Sequence, residues 1–265
     1  MPAALEGFTK TSFRAQGKSR DVYSMGTGPA VIVIAEIPGI TPKVAEFARM
    51  VAGIGCTAVM PHLFGEPGAS PTAGLIAKTL GPICVSREFS LLALRKTSPV
   101  TKWLRALAAH EHEQCGGPGV GVVGMCLTGG FALAMMVDQV VLAPVLSQPS
   151  LPFPLGKRRK ADIGISDEDL AKVKERVASG TCLLGLRFTD DPFCFPARFE
   201  TLRRELGDGF VAVEIDSSPD NPHGHPKNAH SVLTEHLQDR PGTPTRAALD
   251  QVLDLFKTRL LSSAA

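Results

Sequence analysis

Along this chain the apolar residues fall either into short unbroken blocks or into the spaced pattern of one helix face. Ala30-Val-Ile-Val-Ile-Ala35 is a block without alternation, as a strand covered on both faces of a parallel sheet requires. Cys56–Met60, residues 119–124, Val140–Pro144, Cys182–Phe188 and Phe210–Glu214 read as further strands. Helical spacings lie between them. Thr41-Pro42 opens one that runs to about residue 53, an N-cap followed by a proline at a position whose N–H needs no acceptor. Residues 72–80, 86–95 and 99–114 form an interrupted helical region, broken by Gly81-Pro82 and by Ser98-Pro99. Helices are also predicted over 127–137, 166–178 and 197–206, and from Thr243-Pro244 to about 261. Two segments around Gly17-Lys-Ser19 predict an antiparallel hairpin within 8–25, at an edge of the sheet. Residues 147–165, with Pro149, Pro152, Pro154 and Lys157-Arg-Arg-Lys160, carry too much proline and charge for a core element and read as a surface loop.

Alternation of this kind predicts an α/β fold: a mostly parallel central sheet with helices on both faces, and ligands at the carboxyl ends of its strands. Composition narrows the picture. A chain of 265 residues that is 44% hydrophobic can form one large core, so a single domain over 1–265 is expected. A net charge of +2 makes no field for nucleic acid or a membrane surface, which leaves a small molecule as the expected partner. The first residues show no cationic segment leading into an apolar one, and no later run reaches about 18 apolar residues. A soluble, cytoplasmic protein is expected. The cysteines at 56, 84, 115, 126, 182 and 194 show neither a Cys-x-x-Cys pair nor zinc-like spacing. They read as reduced thiols, with no structural metal and no cofactor.

Chemistry concentrates where Gly119-Val-Gly-Val-Val-Gly124-Met-Cys126-Leu-Thr-Gly129-Gly130 passes from strand residues straight into an apolar helix. A sharp strand-to-helix turn lifts its central side chain to the carboxyl edge of the sheet, beside free backbone N–H groups. Glycines around it avoid Cβ clashes where strand and helix backbones meet. The common elbow is Gly-x-Ser-x-Gly, and here Cys126 stands at the serine. A lone cysteine is more often a packed core thiol. The other residues at that edge change this balance: Glu36 directly follows the first long strand, Asp190 and Asp191 follow the strand ending at Phe188, and His230 lies in the loop after the last strand. Nucleophile, acid, histidine is the chain order of α/β-hydrolases.

The glycines of 119–124 also match a dinucleotide fingerprint, but their spacers are strand residues and no acidic residue follows at the right distance. His223 and His225 lack a third metal ligand and read as part of a solvated loop. His62 reads as a packed or capping residue at a strand end, and His110 and His112 as part of a polar helix end.

With Glu36-Ile-Pro-Gly-Ile40, Gly124-Met-Cys126-Leu-Thr-Gly-Gly130, the aspartates before Pro196, and Ala229-His230-Ser231, the chain resembles the dienelactone hydrolase family over nearly its whole length. The resemblance implies an α/β-hydrolase fold and a hydrolase that cleaves an ester or lactone of a small molecule. It implies Cys126 as nucleophile, His230 as base and acid, and Asp191 as the carboxylate that orients it. Glu36 matches a glutamate that contacts the resting thiol and helps deprotonate it when substrate arrives. The backbone N–H groups of Leu127 and Ile37 match the oxyanion hole. Two positions depart from the family pattern. Thr128 stands where a glycine is usual, and Thr234 where dienelactone-cleaving members carry an arginine for the substrate carboxylate. Arg87 is a candidate to supply a cation in its place. Two other classes remain open: a thiol redox or electrophile sensor that uses Cys126 without turnover, and a binding scaffold that has lost activity and keeps Cys126 intact but unreactive.

Overall fold

Strand β1 (Thr9–Ala15) and strand β2 (Lys18–Gly26) form the expected hairpin, paired antiparallel from Ala15 opposite Lys18 to Thr9 opposite Ser24. Gln16 and Gly17 make its turn, both with positive φ, the geometry that matches the twist of the flanking strands. The structure is a computed structural model and describes residues 2–85, 98–151 and 156–262. The remaining strands among these residues are β3 (Ala30–Ile34), β4 (Thr57–Pro61), β5 (Val120–Met125), β6 (Val141–Ser147), β7 (Leu183–Phe188) and β8 (Phe210–Ile215). They form one sheet in the order β1-β2-β4-β3-β5-β6-β7-β8. β2 pairs antiparallel with β4, and every later pair is parallel.

All five residues of β3 and all six of β5 are buried, which is why neither strand alternates in sequence. Successive residues of β3 point to opposite faces. Ile32 and Ile34 join a core with helix α3 (Pro99–Cys115) through Trp103, Leu104 and Leu107, and with helix α4 (Gly129–Met135) through Phe131. Val31 and Val33 join a second core with Phe47 and Val51 of helix α1 (Pro42–Gly53) and with Val252 and Phe256 of the C-terminal helix (Pro244–Phe256). The caps follow the sequence: Val44 N–H donates to the Thr41 hydroxyl at 3.3 Å, and Thr101 N–H to the Ser98 hydroxyl at 3.1 Å. Each cap is worth about 1 kcal/mol.

Three expectations change. Helix α2 (Ala73–Val85) runs straight through Gly81-Pro82, which the sequence reads as a break. Both residues are exposed, so the carbonyl that loses its partner at Pro82 can turn to water. β6 continues past Pro144 to Ser147, because pairing with β7 begins only at Val145 and no ladder bond is asked of the proline nitrogen. Residues 147–165 are not simply a surface loop. Ser147, Gln148, Ser150, Leu151, Ile163 and Ile165 are buried, and residues 156–161 form a short helix. Buried Arg198 binds both ends of this excursion, donating to the carbonyls of Pro149 and Asp162, each at 2.6 Å. Burial pulls its guanidinium below the ordinary arginine range. The candidate helix over 86–95 lies outside the described residues.

Candidate active site

Because β3, β5, β6 and β7 run parallel, their carboxyl ends open on one edge. There the chain places Glu36 just after β3, Cys126 after β5, Gln148 after β6, and Asp190 and Asp191 after β7.

Cys126 has φ of 54°, a left-handed conformation that costs a non-glycine residue about 1–2 kcal/mol. A single 3₁₀ turn, Cys126–Thr128, then feeds α4. Tight packing forces the turn. A Cβ on Gly124 would lie 2.4 Å from the Thr128 carbonyl oxygen, and one on Gly129 would lie 2.7 Å from Pro149 Cβ. Thr128 itself has φ of −84°, so no glycine is required there. Its hydroxyl accepts from Met125 N–H at 2.8 Å and lies 2.8 Å from the carbonyls of Ile34 and Met125, pinning the elbow to the neighbouring strand. Ser150 N–H holds the Cys126 carbonyl at 2.9 Å. The N–H of Leu127 lies in the first helical turn, where it has no intrahelical acceptor, and Ile37 follows Glu36 in the facing loop.

Asp191 and His230 meet across the edge. His230 Nδ1 lies 2.7 Å from Asp191 Oδ2, with the aspartate side chain fully buried. The other carboxylate oxygen accepts from Phe193 N–H at 2.8 Å and Cys194 N–H at 3.2 Å, which fixes its plane. Asp190 is exposed and its N–H donates to Ser217. His230 Nε2 is buried, on the side of the ring that faces Cys126. Burial works against charge on this ring, but its interactions with the Cys126 sulfur and with the Asp191 carboxylate outweigh it, and the His230 pKa is raised. Phe193, a largely exposed aromatic, stands edge-on to the His230 ring with centroids 5.3 Å apart.

Glu36 is placed differently from the expectation. Its carboxylate hydrogen-bonds neither the Cys126 thiol nor an arginine among the described residues. One oxygen accepts from the Thr234 hydroxyl, and the other from the Ser231 hydroxyl at 2.7 Å and the Gln148 amide at 3.0 Å. Polar neighbours satisfy the buried carboxyl group: Ser231 and Thr234 belong to the histidine loop, and Gln148 to the segment after β6. Gln148 was not singled out from sequence. It is fully buried, and its side-chain oxygen accepts from Val232 N–H at 3.3 Å and from the Ser147 hydroxyl. The polar pair Ser147-Gln148 after an apolar strand is the sequence signal for it, obscured because Pro144 reads as the end of the strand.

Arg87 lies outside the described residues. His225 is not solvated as expected: it is buried against the Phe188 ring, with centroids 5.0 Å apart, while His223 is exposed. His62 sits just after β4 with Nε2 3.0 Å from the Gly65 carbonyl. His110 stacks on Phe13 at 4.9 Å. Among the described residues, no group of three or more His, Cys, Asp and Glu is placed to hold a metal ion, and no helix is long and apolar enough to cross a membrane.

The mostly parallel eight-stranded sheet, its strained strand-to-helix elbow and the histidine–aspartate pair at its carboxyl edge define an α/β-hydrolase fold. The sequence model of the dienelactone hydrolase family matches residues 20–260. The chain belongs to that family, and by that membership it is an ester hydrolase. Among solved structures it is similar to a Klebsiella pneumoniae subsp. pneumoniae MGH 78578 protein named as a dienelactone hydrolase, at 16% identity and a TM-score of 0.60 over 94% of this chain and 97% of that one. A dienelactone hydrolase-like promiscuous phosphotriesterase from metagenomic libraries matches at 18% identity and 0.59, covering 96% and 98%. A cold-adapted esterase from an Arctic intertidal metagenomic library matches at 15% and 0.56, covering 95% and 93%. At these identities the likeness is one of fold. No curated protein matches the sequence.

Proposed function

We propose that this hydrolase cleaves an ester or lactone of a small molecule with Cys126 as nucleophile, His230 as acid and base, and Asp191 as the carboxylate that orients His230. The supporting observation is the His230 ring. One nitrogen is held by Asp191, and the other is buried beside Cys126. The Cys126 sulfur attacks the carbonyl carbon and a C–S bond forms. The N–H groups of Leu127 and Ile37 donate to the resulting oxyanion. Collapse breaks the bond to the leaving oxygen, which takes a proton from His230 and departs as the alcohol. His230 then removes a proton from water, the hydroxide attacks the thioester, and the carboxylic acid and the Cys126 thiolate are released.

A screen of lactones and short-chain aryl esters, combined with peptide mapping after brief iodoacetamide exposure, tests this reading. Cys126 is expected to be labelled first, because it stands at a helix start beside a ring that favours its charged form. Burial raises the pKa values of Cys56, to about 11, and of Cys115 and Cys194, so these thiols are poor nucleophiles at neutral pH. Labelling of Cys126 without turnover of any ester would move the protein to the sensor class, and preferential labelling elsewhere with Cys126 unreactive would move it to the scaffold class.

Glu36 in this reading anchors the histidine loop rather than deprotonating the thiol. Glu36→Gln puts an amide NH₂ where hydroxyls and the Gln148 amide donate, and a hydrogen bond to a charged group is worth about 1.5–3 kcal/mol. Alkylation of Cys126, ester turnover and the thermal midpoint are expected to fall together. Alkylation as fast as wild type with slower turnover would return Glu36 to direct contact with the thiol.

A further inference from the structure

His230 sits on an irregular segment rather than on a strand or helix, yet a base must be held within a fraction of an ångström to work. Two sets of contacts replace regular structure. From the sheet edge, Glu36 and Gln148 bind Ser231, Val232 and Thr234. From within the segment, the N–H groups of His230 and Ser231 both donate to Nδ1 of His236, at 3.3 and 3.2 Å. His236 N–H in turn donates to the Ser231 carbonyl at 3.0 Å, closing the loop on itself.

Two donors converging on one imidazole nitrogen leave a single chemical possibility. Nδ1 has an in-plane lone pair only when it carries no proton, so His236 must be neutral with its hydrogen on Nε2. Its surroundings agree. Burial, and then the positive charge of nearby His230, hold its pKa below the ordinary histidine value against the opposing pull of Glu36 and Asp191. The ring also stands edge-on to Phe188, with centroids 6.1 Å apart, so its plane is set by packing as well as by hydrogen bonds.

Resting on the role proposed above for His230, we infer that His236 is a positioning residue for it: a neutral acceptor that fixes the backbone of residues 230 and 231 and thereby aims the His230 ring between Asp191 and Cys126. No reacting atom touches His236. It acts through the two amides.

Acceptor placement gives the test. His236→Asn puts a carbonyl oxygen the same number of bonds from Cα as Nδ1. His236→Gln puts it one bond farther out, and His236→Ala removes it. The readout is the iodoacetamide rate of Cys126 at pH 7, which depends on the His230 contact and needs no ester, measured beside the thermal midpoint. The asparagine variant is expected to stay within about threefold of wild type, and the glutamine and alanine variants to lose about tenfold or more, the worth of two modest hydrogen bonds. Glutamine and alanine variants within threefold of wild type would overturn the inference. So would equal losses in asparagine and glutamine that track the thermal midpoint, since packing alone would then explain them. If the alanine variant does not fold, the asparagine–glutamine comparison decides. A wild-type protein that hydrolyses none of the esters offered would strike down the hydrolase reading and leave this comparison standing. A Cys126 no faster than the other thiols in wild type would overturn both.

Discussion

Cys126→Ala is expected to lower ester turnover on the order of 10⁵-fold or more while leaving the fold intact. In the proposed mechanism, removing the sulfur removes the covalent intermediate, and oxyanion donors and bound substrate alone would give only a residual acceleration over water. The fold survives because Cys126 is only partly buried and loses a single atom at the end of a strand. Alanine also keeps the Cβ that makes φ of 54° unfavourable, so the strain is unchanged. Cys126→Gly should remove that strain and raise stability by about 1 kcal/mol, with turnover equally absent. Stopped ester assays and melting curves on both variants check the pair of outcomes. Retained turnover in either variant, after mock labelling excludes carry-over of wild type, would remove Cys126 as nucleophile.

Asp191→Asn is expected to cost about 10³–10⁴-fold in kcat with a nearly unchanged melting temperature. The argument comes from the far side of the carboxylate. Phe193 N–H and Cys194 N–H both donate to one oxygen, so an asparagine in this place must keep its carbonyl oxygen there and turn its NH₂ toward His230 Nδ1. That donor forces Nδ1 to give up its hydrogen, and the neutral ring then carries its proton on Nε2, the nitrogen that has to accept one. Fold stability changes little because the two N–H groups keep their acceptor. Asp190→Asn is expected to stay within about threefold of wild type, as an exposed residue should. Steady-state kinetics on the two variants decides, and equal small losses would remove the His230–Asp191 pair from the mechanism.

Much of the frame could be read locally. The unbroken apolar run at 30–35, the Thr41-Pro42 and Ser98-Pro99 helix starts, and the passage from strand to helix around Cys126 each depend on neighbours within a few residues. Such signals also placed Glu36, Cys126, His230 and the Asp190-Asp191 pair on one edge, because a parallel sheet delivers every strand end to the same side. The helix through Pro82 and the extension of β6 past Pro144 went the other way: in each case what mattered was whether the missing N–H had a partner waiting, and solvent exposure or strand register answers that.

The sequence by itself determined the alternation of strands and helices, the strained cysteine turn and the residue types available at the sheet's carboxyl edge. Tertiary structure decided which of two adjacent aspartates faces His230. It also turned Thr128 into a tie between strands and made Glu36 an anchor for Ser231 and Thr234, 195 and 198 residues away. It brought Gln148 to Glu36 across 112 residues. The physical reason is that helix and strand patterns are written by short-range sterics and burial. A side-chain hydrogen bond between distant segments exists only once strand register and loop packing bring donor and acceptor within about 3 Å, and no periodicity in the chain encodes that distance.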